Sequence, residues 1–453
     1  MVSFSPRPPF NSSLHLLKRL HKTALPMTSS QSTISYALQH RITLYAQLPI
    51  ISQDQPVRVK RTGTADIIAF GRGGTYILRN SVRREIRKVS PVFSYNEGWR
   101  NTLHVRVVGD TRGNNLSDII GFGSDGVYIS HNNGDNTFGT ADRSAAGFDS
   151  DEGWNNANHI RCVADLRKKG YVDLLGFGDQ GVYVSKNNGD GSFAPAEVVL
   201  TDFGYGGKAG QWRIERHLRF IADTTGNGLP DIVGFGEENV FSATNKGDGT
   251  FNPAQKLNVG NAFTVSNGWE VGLHPRMLAH VSGDKRVDII GFGPDGVYVS
   301  YNNGDGTYRP AKRVLEENDF SPAKGWKGSQ HPRFVVDITG DGCADIVGFG
   351  HNGVWVAKNR GDGMNFESPK LVLEEFGVAQ GWQGETNPRF VVDITGDGCA
   401  DIVGFGKDGV YVSYSNGDGT FGQPEKLTPN DEFSENSGWD ADHTVRQVVN
   451  LFQ

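Results

Sequence analysis

From about residue 56 to its end, the chain alternates between short apolar runs and residues that favour turns. The most regular run reads Asp-Ile-Ile-Gly-Phe-Gly, with small variations. It occurs seven times, and its copies begin at Asp66, Asp118, Asp173, Asp231, Asp288, Asp345 and Asp401. The interval between copies ranges from 52 residues (positions 66 to 118) to 58 residues (positions 173 to 231). A period of this length is typical of a repeat architecture in which each unit is one supersecondary element.

Each unit predicts four short strands. In the sixth unit we expect strands at residues 333–337, 345–350 and 353–357, and a fourth around residues 370–373. These β-branched and aromatic runs are bounded by Gly, Asn and Asp, which is the usual signal for strands. No helical period competes with it. Four strands in each of seven repeats predict an all-β fold, a seven-bladed β-propeller with four-stranded antiparallel blades.

The two ends of the repeat region complement each other. The first unit lacks the strand that precedes the Asp-Ile-Ile run elsewhere, whereas the C-terminus holds such a strand, Thr444 to Val449, with no unit after it. We therefore expect the C-terminal strand to complete blade 1. Closure of this kind removes a free sheet edge, which would otherwise invite aggregation.

A second motif links consecutive units, and it pairs a tryptophan with a histidine five residues later. An aromatic surface can pack against the C–H face of a sugar, and His or Asn can bond its hydroxyls. The alternative is that both residues only seal adjacent blades, because buried Trp and hydrogen-bonded His are common. The candidate carbohydrate-binding residues are Trp99 and His104, Trp154 and His159, Trp212 and His217, Trp269 and His274, Trp326 and His331, and Trp382 and Asn387.

Two features qualify this pattern. The last linker has Trp439 but carries Thr444 where the others have His, with His443 beside it. An arginine follows two residues after the His position and persists in the linkers that lack His, so we expect this arginine to be structural.

Between the first and second strands, some units carry an acidic loop that is typical of calcium sites. Carboxylates fall at positions one, five and nine, Thr at three, and Gly at six. Hard cations need six to eight oxygen ligands, which alternate side chains and a backbone carbonyl can supply. The candidate ligands are Asp337, Thr339, Asp341, Cys343 and Asp345; Asp393, Thr395, Asp397, Cys399 and Asp401; and Asp223, Thr225, Asn227 and Asp231. The alternative is a set of metal-free Asx-turns.

Other copies of this loop depart from the pattern. Arg112 stands at position three of one copy, and His280 replaces the first acid of another. Lys169 stands at position five of a third copy, where we expect its ammonium to replace the ion and pair with Asp165 and Asp173. Bound calcium would be structural, since a ligand of the folded state stabilises it.

Composition narrows the functional classes. The 453 residues carry a net charge of −6 without a basic stripe, which argues against a nucleic-acid partner. No run of 18 apolar residues is present, so we expect no membrane insertion. The three cysteines are too few and too scattered for a disulfide framework.

Residues 1–48 differ from the rest and are expected to form a basic, disordered extension outside the propeller of residues 49–453. They hold no acid, but their apolar stretch is too short for a signal peptide. Two alternatives are that these residues are a mitochondrial transit peptide and that the true start of the protein is Met27. A cytoplasmic or non-classically secreted protein is the expectation.

The acidic loop, the Phe-Gly strand and the segment Gly-Val-Tyr-Val-Ser-x-Asn-Asn-Gly-Asp-Gly-Thr-Phe together resemble the integrin-type FG-GAP or VCBS repeat. With the Gly-Trp-x4-His-x-Arg linkers, the chain more closely resembles the family of the Psathyrella velutina fungal lectin. That resemblance implies a seven-bladed propeller with calcium. It also implies that terminal N-acetylglucosamine, and also sialic acid, binds in clefts between blades. Only Arg100 and Arg213 keep the arginine that often follows the linker Trp in this family.

Three functions compete. The leading hypothesis is a multivalent lectin for glycans and glycoproteins, because several weak sites on one rigid disc gain avidity. The alternative is an integrin-like propeller that binds a protein and no sugar, and open clefts would distinguish the two. An enzyme is not expected, because no nucleophile motif or zinc motif stands apart from the repeats.

Overall fold

The computed structural model describes residues 65–80, 85–284, 286–315, 319–362 and 364–451. The proposed extension at residues 1–48 and the proposed propeller start at residue 49 lie outside these ranges. The described residues form seven four-stranded antiparallel sheets, one for each blade. The seven-bladed propeller predicted from the repeats is therefore confirmed.

The strands are short, and within the described ranges five single 3₁₀ turns lie in the linkers. Along the chain the strands are β1 (Asp66–Phe70), β2 (Thr75–Leu78), β3 (Ile86–Ser90), β4 (Val105–Gly109), β5 (Asp118–Phe122), β6 (Val127–Asn132), β7 (Phe138–Ala145), β8 (Ile160–Ala164), β9 (Asp173–Gly178), β10 (Gly181–Ser185), β11 (Glu197–Leu200), β12 (Leu218–Ala222), β13 (Asp231–Phe235) and β14 (Val240–Ala243). They continue as β15 (Gln255–Lys256), β16 (Arg276–Ala279), β17 (Asp288–Gly293), β18 (Gly296–Ser300), β19 (Lys312–Leu315), β20 (Arg333–Val336), β21 (Asp345–Phe349), β22 (Val354–Ala357), β23 (Lys370–Leu373), β24 (Arg389–Val392), β25 (Asp401–Phe405), β26 (Val410–Ser413), β27 (Glu425–Lys426) and β28 (Val445–Val449). The 3₁₀ turns are Gly207–Ala209, Val265–Asn267, Pro322–Lys324, Val378–Gln380 and Glu435–Ser437. None of the helices described here is long and apolar enough to span a membrane.

Closure of the ring follows the prediction. Strand β28 pairs antiparallel with β1, so that Asp66 lies opposite Val449 and Phe70 opposite Val445. The order in blade 1 is β28, β1, β2 and β3, whereas blades 2 to 7 each use four consecutive strands. The C-terminal strand thus supplies the innermost strand of the first blade.

The burial of the second strand of each blade explains why the repeat has a continuous apolar run. Every residue of β5, β13 and β25 is buried. A strand sandwiched between two neighbouring blades is covered on both faces, so it shows no alternation of apolar and polar residues. The outer strands are more exposed, as in β23.

Polar side chains also tie neighbouring blades together. The Asn302 amide in blade 5 donates to Thr224 O of blade 4 at 2.8 Å and to Val287 O of its own blade at 3.0 Å. Asn187, Asn245 and Asn359 make the equivalent pair of bonds.

Because the four strands of a blade alternate in direction, their connections divide between the two faces of the disc. The linkers between blades and the turns between second and third strands lie on one face. The acidic loops and the hairpins between third and fourth strands lie on the other. Candidate sugar and calcium sites are therefore on opposite faces.

Candidate functional site

Each linker begins with a phenylalanine in the left-handed backbone conformation, a feature that the sequence analysis missed. The φ values lie between 54° and 69° at Phe93, Phe148, Phe203, Phe263, Phe320, Phe376 and Phe433. A bulky residue is strained in this region and stays there only when its surroundings hold it. The Trp of the same linker does so, with ring centroids 4.8–5.2 Å apart. Six of the seven linkers share the spacing Phe-x5-Trp, and this spacing could have revealed the phenylalanine from the sequence.

The arginine of the linker is structural, as predicted. Arg161 is fully buried, and its Nη1 donates to Phe148 O at 3.0 Å while Nη2 donates to Leu103 O at 2.5 Å. Burial lowers the pKa of Arg161 to about 9. The same bond to the carbonyl of the left-handed Phe recurs at Arg106, Arg219, Arg276, Arg333, Arg389 and Arg446.

The linker tryptophans pack inside the molecule. Trp99, Trp154, Trp212 and Trp269 expose only 3–8% of their surface, whereas Trp326 and Trp382 are half-buried. The Trp99 ring lies over the glycine of the neighbouring strand, and a Cβ at Gly121 would come within 2.4 Å of it. This contact explains the small residue in the repeated Gly-Phe-Gly. Because these indoles are buried, they offer little ring surface to a ligand. They lie beneath the exposed residues of the linker region and form its floor.

The linker histidines are buried and held in one orientation. Nδ1 of His104 accepts the amide of Arg100 at 3.0 Å, and His159, His217, His274 and His331 accept the equivalent amide. A ring nitrogen that accepts an N–H carries no proton, so Nε2 is the donor in the neutral ring. Asn387 replaces the acceptor with its side-chain oxygen, at 3.1 Å from the amide of Gln383.

In three blades Nε2 contacts the turn between the second and third strands, and the residue there differs from blade to blade. It lies 3.1 Å from Ser124 Oγ for His104, 3.1 Å from Asp179 Oδ1 for His159, and 3.3 Å from Glu237 Oε2 for His217. Nε2 of His331 has no hydrogen-bond partner among the described residues. The residues at this first position of the turn are all exposed, and they are Arg72, Ser124, Asp179, Glu237, Pro294, His351 and Lys407.

Three of these histidines give the fold a defined pH dependence. Burial, followed by nearby arginines, lowers the pKa of His104, His274 and His331 from 6.5 to about 4. The unfolded chain takes up protons near pH 6.5, whereas the folded chain does not do so until about pH 4. Their stabilising contribution is therefore complete above pH 6.5 and is lost as the pH falls to 4.

We expect His331→Asn to flatten this dependence, because Asn supplies the acceptor, as Asn387 does, without titrating. Between pH 7 and pH 4.5 the variant should lose less unfolding free energy than the wild type, by roughly 1–3 kcal/mol. Urea titration at both pH values measures the difference, and comparison with wild type cancels the contribution of buried carboxylates. A variant that loses stability as steeply as wild type would contradict the assignment.

On the opposite face, the acidic loops of blades 4, 6 and 7 are ordered by their own amides. Asp337 Oδ1 accepts the amides of Thr339 and Gly340, and its Oδ2 accepts that of Gly342 at 2.7 Å. Burial raises the pKa of Asp345 to about 7, and the nearby charges of Asp337 and Asp341 add to the shift. Loops 393–401 and 223–231 repeat the amide pattern.

These loops supply the oxygen donors that calcium prefers. Within the described ranges, however, no three acidic, His or Cys side chains converge closely enough to hold a metal ion. The donor chemistry therefore fits, and calcium would have to draw the carboxylates together.

In blades 2 and 3 an arginine occupies the centre of the equivalent loop. Arg112 Nη2 lies 3.2 Å from Asp118 Oδ1, and Arg167 Nη2 lies 2.6 Å from Asp173 Oδ1. The expectation that Lys169 pairs with the aspartates of its loop is wrong for Asp173, because Arg167 at position three is longer and reaches that carboxylate. The contact of Lys169 with Asp165 is made through its backbone amide, at 2.9 Å.

Comparison with solved structures identifies a relative. A lectin from Agrocybe aegerita, described for its specific recognition of non-reducing terminal N-acetylglucosamine, is 49% identical with a TM-score of 0.83, covering 88% of this chain and 99% of that chain. A toxin pore from Photorhabdus luminescens (17% identity, TM-score 0.44, 66% of this chain and 13% of that chain) and a putative 6-phosphogluconolactonase from Bacteroides fragilis (10%, 0.42, 87% and 100%) are too distant to support an inference. No protein-family model and no curated protein sequence matches the chain. Since the Agrocybe lectin is matched over almost its whole length, the chain belongs to the family of seven-bladed fungal propeller lectins.

Proposed function

We propose that this chain is a multivalent lectin that binds terminal N-acetylglucosamine in the clefts between its blades. The observation that carries the proposal is the 49% identity, over 88% of the chain, to a lectin that recognises this sugar. The repeated linkers support it, because five of them hold a buried histidine, and Nε2 of three of these lies 3.1–3.3 Å from an exposed turn residue. Sialic acid, which also carries an N-acetyl group, is a second candidate ligand.

Each of the six clefts combines a linker His or Asn, an exposed turn residue and a tryptophan ring that forms the floor. In the clefts whose turn residue is not a carboxylate, histidine Nε2 would donate to a sugar hydroxyl, and the indole would border the apolar side of the ring. The cleft with Trp382 and Asn387 should be the weakest. The Asn387 amide donates to Phe405 O at 3.2 Å, in the backbone of strand β25, and not to an exposed turn residue. Several weak sites on one disc gain avidity on a glycosylated surface.

The first test removes one donor and keeps the fold. His104→Asn preserves an acceptor for the Arg100 amide, in the arrangement that Asn387 shows, but it takes away Nε2. Losing a hydrogen bond between uncharged groups costs about 0.5–1.5 kcal/mol, so one site should weaken about two- to tenfold. The other sites should be unchanged, since separate clefts behave independently.

Calorimetric titration with N-acetylglucosamine measures the effect, and Lys312→Ala, on the exposed outer strand β19, serves as the control. Wild-type protein that shows no binding at millimolar sugar would overturn the lectin assignment. That outcome would favour a propeller that binds a protein partner.

We also propose that the loops at residues 337–345 and 393–401 bind structural calcium, and that loop 223–231 is a weaker candidate. The support is the spacing of their oxygens and the mutual repulsion of their carboxylates, which a cation would relieve. Calcium at 100 times its dissociation constant would add about 2.7 kcal/mol of stability. We therefore expect a higher melting temperature with calcium than with chelator.

Asp341→Ala combined with Asp397→Ala should abolish this rise, whereas Lys169→Ala should keep it, because blade 3 relies on Arg167. Scanning calorimetry in calcium and in chelator compares the three proteins. Equal melting temperatures in the two conditions for the wild type would show that the loops are metal-free turns.

A further inference from the structure

The cleft of blade 3 differs from the others in the side chain that its histidine orients. Asp179 is the turn residue there, and its side chain is 67% exposed while that of His159 is 6% exposed. One carboxylate oxygen, Oδ1, accepts from Nε2 of His159 at 3.1 Å. The buried histidine therefore fixes a charged acceptor at the mouth of the cleft.

The next linker forms the opposite wall of this cleft. The Tyr205 ring lies 6.0 Å from the His159 ring, and the Arg213 guanidinium stacks 3.8 Å from the centre of Tyr205. Arg213 also donates to Tyr205 O at 2.7 Å, which fixes the stack. The wall thus presents a half-buried aromatic ring with a cation stacked on it.

The linker residue that bonds to the backbone of Asp179 carries no side chain, and neither does the residue after it. The amide of Gly206 donates to Asp179 O at 2.9 Å, and a Cβ at Gly206 would come within 2.5 Å of that oxygen. Gly207 follows and is exposed. This pair of glycines leaves the carboxylate open to a ligand, whereas the equivalent positions in other linkers carry side chains such as Asp151 and Ser266.

We infer that Asp179 recognises the free hydroxyls of the non-reducing terminal sugar, which makes the blade 3 cleft the tightest site of the propeller. This inference rests on the proposed function. A carboxylate is an acceptor only, and it can take hydroxyl groups from adjacent carbons of one pyranose ring. The hydroxyl at C4 is free at the end of a 4-linked chain and substituted inside it, so an acceptor at this point selects chain ends.

The other turn residues do not offer the same chemistry. Glu237 in blade 4 is clamped by Arg216, whose Nη2 lies 2.6 and 2.7 Å from its two oxygens. Ser124 is an uncharged acceptor, and Pro294 has no polar side-chain atom. His351 and Lys407 are most readily donors. Among the turn residues that a histidine Nε2 contacts in the described part of the chain, Asp179 alone is a carboxylate that no arginine holds.

The test compares Asp179→Asn with Glu237→Gln, a matched substitution at the equivalent position of blade 4. Asn can still accept from His159, so only the charged acceptor is lost, and melting temperatures should match the wild type. Calorimetry with the methyl glycoside of N-acetylglucosamine should show the tightest site weakened about tenfold or more in Asp179→Asn, as expected for a hydrogen bond to a charged group. Glu237→Gln should change that affinity less than threefold.

The 4-deoxy analogue of the same glycoside supplies a measurement that needs no variant. Wild type should bind the analogue at its tightest site about tenfold more weakly than the parent sugar, and Asp179→Asn should bind the two nearly alike, because both changes remove the same contact. Sugar binding with wild-type affinity in Asp179→Asn, or undiminished binding of the analogue by wild type, would overturn the role of Asp179 and leave the lectin assignment intact. No binding of either sugar by wild type would overturn both.

Discussion

A chain that ends at Thr444 should aggregate instead of forming a closed propeller. Truncation there removes β28, which pairs with the whole length of β1. It also removes Val445, Val449 and Leu451 from the core. Each buried side chain of this kind contributes roughly 1.5–3 kcal/mol, so the loss approaches the whole stability of a typical domain. The edge of β1 that becomes exposed is a template for pairing with other chains.

The C-terminal strand also ties blade 1 to its neighbours. Leu451 O accepts from the amide of Ser117 at 3.1 Å and from the side-chain amide of Asn132 at 3.1 Å, both in blade 2. Arg446 donates to Phe433 O and Thr386 O at 3.1 Å, which connects it to blade 7. Truncation therefore opens the ring at two junctions.

Size-exclusion chromatography and thermal unfolding would measure the effect. Val448→Thr is the control, because Val448 is the one residue of β28 that is only partly buried, and this change keeps the strand. A truncated protein that elutes as a monomer and melts with the full-length chain would show that closure by β28 is dispensable.

Arg161→Ala should lower the free energy of unfolding by about 3–5 kcal/mol. The variant leaves Phe148 O and Leu103 O without their donor inside the protein, and each orphaned acceptor costs about 1–3 kcal/mol. A cavity adds to the loss. Removal of a desolvated charge offsets part of it, but that relief does not satisfy the two carbonyls.

Arg161→Met separates these terms, because Met fills much of the volume without donating. We expect its stability to lie between those of Arg161→Ala and wild type in urea titration. Arg87→Ala, in the outer strand β3 with a 43% exposed side chain, should stay within about 0.5 kcal/mol of wild type. Equal stability of Arg161→Ala and wild type would contradict the anchoring role of the guanidinium.

Much of the fold could be predicted because its signals are local and repeated. The strands expected at residues 345–350 and 353–357 occur as Asp345–Phe349 and Val354–Ala357, and closure by the C-terminal strand followed from the unit that lacked one. Because the strand pattern recurs in seven copies, an error in one predicted strand boundary does not change the predicted fold.

What could not be predicted depends on contacts between distant residues. The left-handed Phe148 needs the Trp154 ring and the Arg161 side chain to hold it, and neither contact is visible in local propensity. The partner of His159 lies 20 residues away at Asp179, at a position where the repeat varies. Side-chain reach, and not sequence position, decided that Arg167 pairs with Asp173.

The division of the connections between the two faces has a consequence for how such a disc would act between cells. On the function proposed above, all sugar sites lie on the side of the disc that carries the linkers, so a single copy would bind one glycosylated surface through that side. Its other side, with the acidic loops, would face away from that surface. Bridging two surfaces would then require two copies joined back to back. Agglutination would report on self-association, and not on the number of clefts in one chain.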